Sequence, residues 1–282
     1  MSEKPRIPTR SQIIRAERER ASGGYDYARD QVDGIIGFPL GNFSRRNLSQ
    51  QQRFLAASRI YTSATISWAR EQWNAPAVAE ELTRARRAIV DIYDHPEVQT
   101  TARRVNTGIN NESYEYHTEM RRDKILYTLT LAGLTGNNAF LTAAINEMDA
   151  TIAEAEEPTV KTLLQFDQQR LRHRQTPTEK SFTNLTTAFE SATHASLEAS
   201  NWERAATISA RYILDVEKLG DTGEQAVRRG REVYDNAVEN DQNIANILNR
   251  ERVKERVERN RYAAWQASTP DGVNYSELQL PR

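Results

Sequence analysis

The ten residues Ile125–Leu134, ILYTLTLAGL, admit two readings, and the fold class turns on the choice. Tyr127, Leu129 and Leu131 alternate with Thr128 and Thr130, which is the period of a half-buried strand. The same window also extends a stripe of Tyr116, Met120, Tyr127, Leu131 and Leu134, whose spacings are multiples of a helical turn. A strand must pair its backbone with another, because buried N–H and C=O groups need partners. Asp33–Phe38 and Val273–Leu280 are the other strand-like stretches on offer. We therefore read a helix here, and with it an all-α chain.

Working outward, helical periodicity recurs on both sides. Phe54, Ala57, Tyr61, Ala64 and Trp68 form a stripe with Ser49 as the expected N-cap. Val78, Leu82, Ala85, Ile89 and Ile92 follow behind Pro76. Further stripes run through Leu141–Ile152, Val160–Leu171, Phe182–Ser196, Trp202–Leu219 and Val227–Ala237, and a long polar helix is expected over Asp241–Gln266. Prolines are absent from Glu97–Glu157 and from Thr178–Thr269, as helix interiors require. No segment recurs at a fixed period, so a solenoid is excluded. The expected architecture is a multi-helix bundle of about eight to ten helices over residues 44–266. An extended N-terminal arm (1–43) and an extended C-terminal tail (267–282) flank it.

Composition narrows the role. The chain has 282 residues, 38 Lys+Arg against 39 Asp+Glu, and no cysteine. Cysteine chemistry is thereby excluded: no disulfide framework, zinc finger, thiol nucleophile or iron–sulfur cluster. Near-zero net charge argues against wholesale coating of DNA. The N-terminus is too polar for a signal peptide, and the longest apolar stretch, Gly34–Gly41, is too short to span a bilayer. A virion or cytoplasmic location is expected, with no secretion by signal peptide and no membrane span.

The search for chemistry returns little. No HExxH, Walker A, GxGxxG or GxSxG pattern occurs. Glu190, His194 and Glu198 share a helical face, which suits a metal or, more simply, a solvated face with i,i+4 pairing. A di-iron site would need Glu-x-x-His on two helices, and no such pair exists. No cofactor, metal or catalytic residue is assigned, and the chain is read as a non-enzyme.

Two regions suit a partner better than a self-contained domain. In the arm, Ile35, Ile36, Phe38, Leu40 and Phe43 form an apolar loop in a glycine-rich setting. Such a patch must be covered, either by the chain's own bundle or by another subunit. Near the C-terminus, Arg250, Arg252, Arg256, Arg259 and Arg261 offer a basic helix, either self-paired or facing nucleic acid or an acidic subunit. Tyr275, Leu278 and Leu280 in the tail suit strand addition to a partner's sheet. The expected function is a structural assembly subunit, forming a homo-oligomer and joining other protein subunits. Its setting would be a virion component of the tailed-phage connector or internal-head kind. The alternative is a helical nucleic-acid-binding or nucleocapsid-type protein using its arginine faces.

Overall fold

The structure, a computed structural model, describes residues 5–72, 75–103, 116–155 and 157–268. Among these residues there are twelve α-helices and four short 3-10 segments, and no strand. The chain is an all-α helical bundle protein. It divides into two compact units. One holds the residues up to Ala144 together with those from Arg261 onward, and the other is Ile145–Asn260. The single bundle expected over 44–266 is thus divided: among the described residues, one apolar core forms in the first unit, and two apolar clusters form in the second.

The first unit contains α1 (Arg10–Ala21), α2 (Tyr25–Val32), α3 (Leu48–Glu71), α4 (Ala75–Tyr93), α5 (Pro96–Ala102) and α6 (Tyr116–Thr135). The N-terminal arm is therefore not extended. Thr9 opens α1 with a capping box completed by Gln12, and α1 and α2 pack on α3 through Ile13, Ala16, Ala28 and Val32. Asn47, not Ser49, caps α3, its side chain accepting from the Gln50 N–H at 2.9 Å. The centre of the unit is α3, with Phe54, Leu55, Ala57, Tyr61 and Ala64 fully buried.

The deciding window is helical, as α6. Thr128 and Thr130, which made it resemble a strand, are buried. Each donates its hydroxyl to the carbonyl four residues back, Lys124 at 3.0 Å and Leu126 at 2.8 Å. Threonine satisfies itself inside a helix this way, so it can sit in a core without an external partner. Ser58, Thr62, Thr193 and Ser196 are buried by the same device.

Next, α7 (Asn138–Glu154) starts in the first unit and ends in the second. The second unit continues with α8 (Pro158–Gln175), α9 (Glu179–Glu198), α10 (Trp202–Val216), α11 (Glu224–Asn240) and α12 (Ile247–Ser268). Its centre is α10, where Tyr212 stacks on Phe189 of α9 at 4.0 Å between ring centroids. Gly230 lets α11 approach α10: a β-carbon there would lie 2.7 Å from Ile213 Cγ1. The long polar helix expected from Asp241 begins later, at Ile247, because Asp241 instead accepts from the Asn243 N–H and opens a 3-10 turn. From Arg261 onward, α12 belongs to the first unit. There the Tyr262 ring lies against Gly133, and Trp265, fully buried, donates Nε1–H to the Gln72 carbonyl at 2.6 Å. Among the described residues, no helix is long and apolar enough to cross a membrane.

Candidate functional site

The apolar loop of the arm is spent inside the first unit. Ile35 and Phe43 are fully buried and Phe38 is 9% exposed. Phe38 and Phe43 pack on Phe54 at 5.3 and 4.8 Å between ring centroids. Ile36 and Leu40 lie partly buried against the same core. Gly37 takes φ +76°, which turns the chain inward and needs glycine. Ile35, Phe38 and Phe43 are therefore committed to the chain's own core, while Ile36 and Leu40 keep part of their surface exposed. Tyr275, Leu278 and Leu280 lie outside the described residues.

The basic helix is different. On α12, Glu251, Glu255 and Glu258 stand at spacings of four and three, on one face. That face is turned into the second unit. Glu251 accepts from Arg211 of α10 at 3.1 Å, and Glu255 from Lys218 at 2.5 Å. The Arg211 guanidinium and Lys254 hold the Glu251 carboxyl below its ordinary range, against the opposing effect of burial. Some of the arginines join this pairing: Arg252 with Glu217 at 3.0 Å and Arg259 with Glu255 at 3.4 Å. These two are not free for phosphate. Arg250 and Arg256 are exposed, and Arg261 belongs to the first unit.

Beside Arg250 and Arg256 the outer face carries two exposed valines. Val253 is 55% exposed and Val257 46%. The other exposed large apolar side chains among the described residues, Ile14, Leu48 and Leu126, are scattered over α1, α3 and α6. The alternating charges of the sequence are thus sorted radially, with acids inward and bases and valines outward.

Two buried aspartates, which the sequence did not single out, behave oppositely. Asp215 is clamped by Arg170 Nε at 2.6 Å and by Arg174 at 2.5–2.8 Å. Burial alone would raise its carboxyl, but the two guanidinium groups outweigh burial and hold it below its ordinary value. Asp123 accepts from the Tyr93 hydroxyl at 3.1 Å and has Arg59 only at 3.7 Å. Glu119 takes Arg59 instead, at 2.8 Å, and Arg122 at 2.7 Å. Burial therefore prevails and pushes the Asp123 carboxyl up to about 7. Both clusters tie helices together.

The remaining chemical candidates resolve into structure. His173 Nδ1 lies 2.8 Å from Ser181 Oγ, a nucleophile-and-base distance. The same Ser181 oxygen also accepts from the Thr178 N–H and belongs to the capping box of α9, which makes the pair a lock on the α8–α9 turn. His194 pairs with Glu198 at 3.3 Å on an exposed face, while Glu190 turns to Arg229 at 2.8 Å. A cleft of about 250 Å³ lies beside Leu214, Lys218 and Arg252, its acids Glu217 and Glu255 already paired. Among the described residues, no group of three or more His, Asp or Glu side chains is placed to hold a metal ion. No protein-family model matches this chain, and neither a curated protein nor a solved structure is significantly similar to it.

Proposed function

We propose that this protein is a non-enzymatic assembly subunit, working by contact with another protein through the outer face of α12. The observation that supports this reading is the exposed Val253–Val257 pair, one helical turn apart and bordered by Arg250 and Arg256. Two β-branched side chains held in water lose the stabilisation that burial would give, at roughly 25 cal/mol per Å². A partner surface recovers it. The narrower form of the proposal sets this subunit in a virion of the tailed-phage kind, as a connector or internal head protein. Its cysteine-free, arginine-rich helical body is in keeping with that setting. The nucleic-acid reading has less support, since Arg252 and Arg259 already serve Glu217 and Glu255.

The test is the native mass of the particle purified with its partners. The wild-type chain should travel in a heteromeric complex, and Val253→Ser/Val257→Ser should release it as a folded free chain. A ring or shell in electron micrographs of the complex would bear on the virion setting. A chain that is found free in both forms would overturn the proposal.

A further inference from the structure

We infer that the partner of α12 presents an acidic amphipathic helix, which lies along Val253 and Val257 with carboxylates against Lys254 and Arg256. This rests on the reading of α12 as the contact face and adds the chemistry of what it contacts.

The argument begins with spacing. Arg250, Val253, Val257 and Asn260 recur at three and four residues, forming a seam along the outer face. Val253 and Val257 lie about 6 Å apart along the axis, a separation that a partner helix fills with one side chain from its own seam. Lys254 and Arg256 take the two positions beside that seam where paired helices read each other's charge. Both are exposed, and both are basic. The acids of α12 are engaged on the opposite face, Glu251 by Arg211 and Glu255 by Lys218; Lys254 shares Glu251 at 3.4 Å while staying exposed, and Arg250 and Arg256 leave the seam net positive.

That charge pattern selects the occupant. A second copy of α12 would set basic flanks against basic flanks in either orientation, which is unfavourable. A nucleic acid would satisfy the bases but would desolvate the two valines against phosphate for no gain. An acidic helix with an apolar stripe satisfies both halves of the surface at once.

The experiment uses the full chain and two synthetic peptides of about four heptads, each with Leu at the seam positions. One carries Glu at the flanks and the other Lys. The wild-type protein should bind the Glu peptide, should release it as salt is raised, and should ignore the Lys peptide. Lys254→Glu/Arg256→Glu should weaken Glu-peptide binding by about tenfold or more and create binding to the Lys peptide. All four positions are exposed, and circular dichroism of each variant confirms folding. Failure to bind the Glu peptide, or equal binding of both peptides, would overturn the inference. So would tighter binding of a duplex oligonucleotide that Val253→Ser/Val257→Ser leaves unchanged, which would assign the face to nucleic acid. If the valine variant leaves the native complex while the Glu peptide fails to bind, the assembly reading stands and the acidic-helix inference alone falls.

Discussion

At the scale of single residues, two glycines inside helices carry packing information. Helix propensity alone says that Gly→Ala in a helix interior stabilises by up to about 1 kcal/mol. The contacts reverse that sign. At Gly133 a new β-carbon would lie 2.5 Å from Tyr262 Cζ, and at Gly230 it would lie 2.7 Å from Ile213 Cγ1. Each Gly→Ala variant should lower stability by about 1–3 kcal/mol in urea denaturation, the cost of overpacking. The aspartates give a second contrast. Asp215→Asn leaves the largely covered Arg170 guanidinium without its carboxylate and loosens the exposed Arg174, and should destabilise the second unit by about 3 kcal/mol. Asp123→Asn should act through pH instead. The folded Asp123 carboxyl titrates at about 7, against an unfolded value near 3.8. The folded state therefore keeps a proton that the unfolded state has lost between these values. This contribution is fully present below about pH 4 and disappears as pH rises through 7. Its full size is on the order of 4 kcal/mol. Denaturation midpoints of the wild type should fall relative to Asp123→Asn as pH rises from 4 to 7.5; parallel profiles would show that Arg59 keeps the carboxylate charged.

At the scale of elements, the helices of the body were legible in the sequence, but α1 and α2, inside a stretch read as an extended arm, were not, and neither were the partners of the helix faces. The threonine-rich window of α6 declares its period through Tyr127, Leu131 and Leu134, and its hydroxyls close onto its own backbone. The helix α12 shows the opposite. Its one-dimensional alternation of charge reads as a solvated, self-paired helix. Only its placement beside α10 shows that the acids turn one way and the valines the other. The apolar loop from Ile35 to Phe43 was legible as a stretch needing cover. What covers it is α3, from its own unit, and that is a property of the tertiary fold. The end of α12 offers a direct check. Truncation after Gln266 keeps Tyr262 and Trp265 and should leave the first unit's thermal transition in place. Truncation after Asn260 removes a fully buried indole and should cost about 3–5 kcal/mol.

At the scale of the whole molecule, two compact units divide a chain whose composition suggests a single polar bundle. Each unit spends its buried charge on holding helices together: Arg59, Glu119 and Asp123 in the first, Arg170, Arg174 and Asp215 in the second. The arginine bias of the sequence thus goes largely into internal pairing, and Arg250 and Arg256 on the outer face of α12 stand out because they take no part in these pairs. The central claim is that this face is covered by a protein partner. Hydroxyl-radical footprinting of the native complex against the isolated chain tests it most directly. Val253 and Val257 should oxidise readily in the isolated chain and be protected in the complex, with Leu48 and Ile14 as exposed controls that react equally in both. Equal oxidation of Val253 and Val257 in the two states would contradict the claim.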